Sequence, residues 1–226
     1  MAFKTVGIID VRSVGGSSLV RMFNRRPDCY LPPIKVLGNP SINMDYLFNR
    51  DIISRSDVGI VSVKPRQMRD ICDSICSVSG KIPIISTAPF IPLNKLHLWL
   101  CENKVIIRCM PSISCEVGKG IVPYHSNYEK KYVHDLMSNL FAPNKVLRLS
   151  SDNEMNAATI INECDQAFFA WYVNQLEPIW TRNCSDEKIN KMLIGKMTRV
   201  AAALKTYSTK EIIKMAAGLE ELQIEF

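Results

Sequence analysis

Apolar and polar residues alternate along this chain in two rhythms up to about residue 150, and in one rhythm beyond it. Short, nearly continuous apolar runs at Val6–Ile9, Ile34–Leu37, Val58–Val63, Ile82–Ser86 and Val105–Met110 predict strands covered on both faces. Between them, in 17–26, 44–55, 68–78 and 93–102, apolar residues recur every three or four positions, as on an amphipathic helix. Met68, Ile71, Cys72 and Ile75 form one such stripe. Two further strands, Ile121–Tyr124 and Val146–Leu149 at an edge, bracket a helix over 129–141. Strands alternating with helices at this spacing predict an α/β fold with a doubly wound, mostly parallel sheet.

From Ser151 the strand rhythm stops. Residues 153–176 hold a long helical pattern that includes Ala157, Ile160, Ile161, Phe168 and Trp171, and Glu177-Pro178 interrupts it. Ser185 with Asp186 and Glu187 then has the composition of a helix start, and 187–206 and 209–224 read as helices. The pattern predicts one domain over 1–150 and a short all-helical domain over 151–226. Apolar positions such as Ile212, Met215, Leu219 and Leu222 have little to cover them within so short a tail. A homodimer, or a larger protein complex formed through these helices, is the expected consequence.

Composition narrows the classes. Hydrophobic residues make up 47% and charged ones 22%, ordinary values for a globular chain that exclude extended disorder. Lys and Arg number 28 against 22 Asp and Glu, but the basic residues come in small groups with acids between them. No basic stripe marks a nucleic-acid groove, although an anionic ligand suits the balance. The eight cysteines form no C-x-x-C pair, and the three histidines stand at no ligand spacing to them. Reduced, packed thiols and no metal are expected, hence a reducing, cytoplasm-like intracellular compartment. The first residues enter a strand at once, leaving no room for a targeting peptide, and no apolar run approaches a membrane span.

The first turn, Asp10-Val11-Arg12-Ser13-Val14-Gly15-Gly16, stands where an α/β protein holds a dinucleotide's phosphates, against the positive end of a helix. Such a loop needs glycines so that its backbone can bend and let pyrophosphate approach the N–H groups. Glycines stand at 7, 15 and 16, but Asp10 and Arg12 occupy the turn itself. Asn39, after the second strand, is either a ribose contact or a plain turn residue, and Lys64 either faces a nucleotide or ends the sheet.

Three segments, Val58 to Lys64-Pro65, Val105 to Gly120 and Met155 to Phe168, together resemble the pyrroline-5-carboxylate reductase family. Val58 to Lys64-Pro65 is similar to the family's "aDvvflaVKP". The stretch from Val105 to Gly120 is similar to "vvRvMPNtPalvgeG", and Met155 to Phe168 to "mdavTalSGSGPAy". Order and spacing agree over residues 4–175. The resemblance implies a Rossmann domain followed by a helical domain of dimerisation, and an enzyme that reduces a cyclic imine with NADPH or NADH. In that case Gly7, Arg12, Gly15, Asn39, Lys64 and Ser86 would line the cofactor cleft.

The departures fall on the positions that perform the chemistry. Both glycines of the family's "iGfIGaGnMg" turn are replaced, by Asp10 and Arg12, and a carboxylate beside a pyrophosphate repels it. Arg12, conversely, is able to hold a phosphate in another pose. The glycine-rich substrate segment reads Asn162-Glu163-Cys164-Asp165, whose two carboxylates would oppose a carboxylated imine. Those four residues are the candidate catalytic region. Glu163 and Asp165 diverge on a helix, and Cys164 has no histidine near it in sequence. The later "sPGGtT" segment has no counterpart before Phe226, and the tail is short for the family. The expectation is a divergent, non-catalytic relative that binds no cofactor and serves as a structural or interaction subunit. The alternative is an active NAD(P)H-dependent imine reductase.

Overall fold

The computed structural model describes residues 4–25, 34–39, 46–78, 82–100, 105–162 and residue 171. The chain divides into two compact units, Met1–Gln166 and Ala167–Phe226, and every described element lies in the first. The boundary expected near residue 150 precedes a helix at 152–162, which is part of this first unit. The helices expected over 187–206 and 209–224 lie outside the described residues.

Seven strands form one sheet in the order β2-β1-β3-β4-β5-β6-β7. They are β1 (Thr5–Ile9), β2 (Lys35–Asn39), β3 (Val58–Val61), β4 (Ile84–Ser86), β5 (Ile106–Cys109), β6 (Ile121–His125) and β7 (Lys145–Arg148). The first five run parallel, β6 is antiparallel to β5, and β7 is parallel to β6. The helices are α1 (Val14–Asn24), α2 (Tyr46–Ser54), α3 (Met68–Ile75), α4 (Leu93–Leu100) and α5 (Lys130–Phe141). The arrangement is the Rossmann-like, doubly wound sheet that the alternation predicts, with an antiparallel joint at β5–β6.

Strand side chains point alternately to the two faces, so each strand feeds two cores. On one face Val6, Ile8, Ile60 and Ile107 pack with Leu19 and Phe23 of α1 and Val133 and Leu140 of α5. On the other, Ile9, Val61, Ile84 and Ile106 pack with Ile53 of α2, Met68, Ile71 and Ile75 of α3, and Leu93 and Leu96 of α4. Burial of each such side chain is worth about 1.5–3 kcal/mol, which is why these runs read so clearly in sequence.

Gly7 belongs to this packing. A Cβ there would lie 2.5 Å from Ser56 Oγ and 2.9 Å from Ile52 Cγ2, so α2 approaches β1 too closely for any side chain. Gly7→Ala is expected to lower stability by about 1–3 kcal/mol through over-packing, measured by urea unfolding. Ser56→Ala in the same chain should restore part of that loss.

A candidate cleft beyond the first strand

Helix α1 begins at Val14, three residues before the start expected from its apolar stripe, because Ser13 caps it. Ser13 is in extended backbone, and its Oγ accepts the Gly16 N–H at 3.0 Å. The same hydroxyl lies 2.8 Å from the Asp10 carbonyl and 2.9 Å from the Ser62 carbonyl, where its single proton is shared. That ties the cap to the chain leaving β3. Asp10 is 3% exposed and adopts φ +66°, a left-handed conformation that Asp tolerates better than most residues. Its Oδ1 accepts the Ser13 N–H at 3.1 Å. Gly16 packs against this turn, where a Cβ would lie 2.0 Å from the Asp10 carbonyl oxygen. Glycine is required at 16 by close approach of the backbone to itself.

Two donors of the turn are thus met from within it. A pyrophosphate at a Rossmann loop is held by backbone N–H groups at the helix start. Here the Ser13 N–H donates to a carboxylate and the Gly16 N–H to a hydroxyl. The Asp10 carboxylate beside these donors would oppose a pyrophosphate placed there.

Above the turn lies a cleft of about 580 Å³ at the carboxyl ends of the strands. Arg12, Gly15 and Lys64 line it, together with Arg66, Met110 and Pro111. Gly7 and Ser86 do not. Gly7 is enclosed by α2, and Ser86 is buried in β4, with its Oγ accepting the Ala88 N–H at 3.3 Å and lying 3.9 Å from Met68 Sδ. Asn39 pairs with Ile9 at the end of β2 through its backbone. Of the candidate catalytic region, Asn162 is described, and its Nδ2 donates to the Met110 carbonyl at 2.7 Å. Glu163, Cys164 and Asp165 lie outside the described residues.

Sequence reasoning missed three ties that hold the cleft wall. Arg108 sits inside β5 with 2% exposure, ion-paired with Asp152 and donating from Nη2 to Asn156 Oδ1 at 2.8 Å. Asp152 also accepts the Leu93 N–H where α4 begins, so one carboxylate joins β5, α4 and the helix at 152–162. An Arg inside an apolar run was the available signal, since a buried cation requires a partner. The second tie is Asn144, which accepts the Gly120 N–H at 2.9 Å and donates to the Cys115 carbonyl at 3.1 Å. The third is Glu116, on the 3₁₀ turn Ile113–Val117, which takes both Nε and Nη2 of Arg21 from α1 at 2.8 Å. The Arg21 hydrogen bonds hold the Glu116 carboxyl down at about 2.

Among the described residues, Cys109 and Cys115 are buried free thiols, and no cluster of metal-ligating side chains occurs. Burial pushes the Cys109 and Cys115 thiols up, so they stay protonated and inert. No described helix is long and apolar enough to cross a membrane.

The sheet order and the cleft at its carboxyl edge define a Rossmann-like protein, and comparison with known proteins narrows the kinship. Solved structures of pyrroline-5-carboxylate reductases share the fold. The enzyme from Streptococcus pyogenes superposes with a TM-score of 0.68 at 19% identity, covering 98% of this chain and 91% of that one. The Plasmodium falciparum enzyme with NADP bound gives 0.67 at 18%, covering 97% and 89%. A reductive aminase from Aspergillus terreus in complex with NADPH is more distant, at 0.58 and 10%, covering 91% and 75%.

In sequence, the pyrroline-5-carboxylate reductase of Pseudomonas aeruginosa is 25% identical over 124 residues, 54% of this chain and 45% of that protein. The Haemophilus influenzae enzyme is 24% identical over 156 residues, 67% of this chain and 57% of that protein. The chain thus spans about half the length of the curated relatives it matches. No family model matches. The chain is a divergent relative of the pyrroline-5-carboxylate reductases.

Two outcomes test the ties. Asp152→Asn should cost about 3 kcal/mol or more in urea unfolding, because it strands the buried Arg108 charge, whose Nε already lacks a partner among the described residues. Arg108→Met should cost less, since the Asp152 side chain it leaves behind is 32% exposed. For Glu116 the carboxylate's folded value lies below its ordinary 4.5. The stability it contributes is therefore complete above that value and is lost as pH falls toward 2. The difference in unfolding free energy between the native chain and Glu116→Gln should be constant from pH 7 to 5 and vanish near pH 2.

Proposed function

We propose that this chain is a non-catalytic relative of the pyrroline-5-carboxylate reductases, serving as a structural or interaction subunit. One observation carries the reading: the Asp10 carboxylate occupies the Ser13 N–H in the turn that would otherwise receive a pyrophosphate. Positioning is most of what a protein contributes to hydride transfer from a nicotinamide, so a turn that cannot seat the cofactor removes the greater part of the catalysis. The sheet and its two cores, which serve stability alone, keep the family's form. Assembly through the helical part of the chain, as a homodimer or within a larger complex, belongs to this proposal. So does residence in a reducing compartment, which rests on the buried free thiols of Cys109 and Cys115.

A second reading, an active NAD(P)H-dependent imine reductase, draws support from the relatives solved with NADP or NADPH and from the open cleft at the same edge of the sheet. Calorimetric titration of the full chain with NADPH separates the two. The proposal expects no binding in the micromolar range, and a dissociation constant at or below micromolar would overturn it. Asp10→Gly, which removes the opposing charge and leaves the Ser13 N–H only its contact with the carbonyl of residue 10 at 3.3 Å, should raise NADPH affinity about tenfold or more.

A further inference from the structure

The mouth of the cleft exposes apolar side chains that the two cores leave unused. Phe90, between β4 and α4, is 53% exposed, and Val14 at the start of α1 and Ile113 after β5 are more exposed still. Val14 lines the cleft, and Phe90 and Ile113 follow the lining residues Pro89 and Pro111 by one and two positions. All three follow the carboxyl ends of parallel strands, so they stand at one edge of the sheet. Phe90 also holds φ +61°, a left-handed conformation that a bulky residue adopts at a cost. Asp10 offsets a similar cost with its carboxylate, but a phenyl ring has no polar atom with which to do so. A strained residue that turns its ring to solvent adds little to the fold, and such residues gather at functional sites. Beside these positions stand three exposed cations, Arg12, Lys64 and Arg66, and among the described residues none of them is in an ion pair. The one carboxylate in the cleft lining, Asp10, is buried.

We infer that this face docks a partner protein through an acidic peptide segment, whose apolar side chains meet Phe90, Val14 and Ile113 and whose carboxylates meet Arg12, Lys64 and Arg66. This rests on the reading of the chain as an interaction subunit. An exposed aromatic beside arginines is the composition that the centres of protein interfaces favour. Charge decides the occupant. A basic segment would be repelled by three uncompensated cations, and a neutral one would desolvate them without giving them partners. Carboxylates set between apolar residues satisfy both halves of the face. The guanidinium groups offer paired donors to each carboxylate, with the Lys64 ammonium as a point charge beside them.

The test pans a phage-displayed library of random decapeptides on the full chain and measures the most enriched peptide by fluorescence anisotropy. Sequences with Asp or Glu between apolar residues should be enriched. Phe90→Gly should weaken the enriched peptide about tenfold, the loss of one anchoring side chain. The same variant should raise the melting temperature by a few degrees, because glycine adopts the left-handed backbone freely. A Phe90 that served packing alone would lower it instead. Lys64→Ala/Arg66→Ala should also weaken the peptide about tenfold and slow its association, as should added salt on the native chain. No enrichment, enrichment of sequences without carboxylates, or binding unchanged in either variant would overturn the inference. Those outcomes leave the non-catalytic reading standing, since it falls only to NADPH binding at micromolar concentration, whether or not an acidic peptide binds.

Discussion

The left-handed backbone at Asp10 sets the course of everything on the cleft side of the sheet. An L-residue pays about 1–2 kcal/mol to adopt that conformation. The Asp10 carboxylate offsets the cost by accepting the Ser13 N–H, and the Ser13 hydroxyl adds the cap on Gly16 and the tie to the Ser62 carbonyl. With the turn pinned at both ends, α1 leaves β1 in one direction. That direction brings Arg21 against Glu116 and fixes the 3₁₀ turn that follows β5. Release of the carboxylate would loosen the cap, the helix and the cleft wall together. Charge at position 10 is thus a structural element of this chain as well as an obstacle to phosphate.

Strands were legible in the sequence because parallel strands buried on both faces leave unbroken apolar runs, and Val58–Val61 is of that kind. Helix ends were less so. Ser13, Ser17 and Ser18 are equivalent caps by composition, and Gly15-Gly16 argues against a helix by propensity. Geometry decides for Ser13, because Gly16 must lie against the Asp10 carbonyl. The candidate site divides along the same line. Arg12, Gly15 and Lys64 follow strand ends, where any side chain meets the cleft. Gly7 and Ser86 lie within strands, and which face they turn to depends on packing against α2 and α3 that a linear pattern does not encode.

The ties around β5 show a different limit. Arg108 and Asp152 are separated by a strand, a helix and several turns, and no periodicity links them. An arginine in the middle of a buried run announces only that a partner exists. Asp152 proves to be that partner while also accepting the Leu93 N–H, so a single carboxylate serves a buried cation and a helix start. Asn156 and Asn162 add contacts along the same helix to Arg108 and to the Met110 carbonyl. The helix is held to β5 at both ends by polar groups, where apolar packing alone would let it slide.

The physics of the cleft changes with the source of its donors. Backbone N–H groups at a helix start are fixed before a ligand arrives and lose no side-chain entropy on binding, and a Rossmann loop exploits this to seat a dinucleotide in one pose. Exposed Arg and Lys side chains must surrender rotamer freedom for each contact they make, and ions in solution screen them. Hydride transfer demands reacting atoms held to within a fraction of an ångström, and mobile cations supply no such constraint. Recognition of an acidic peptide asks only that charge be met by charge.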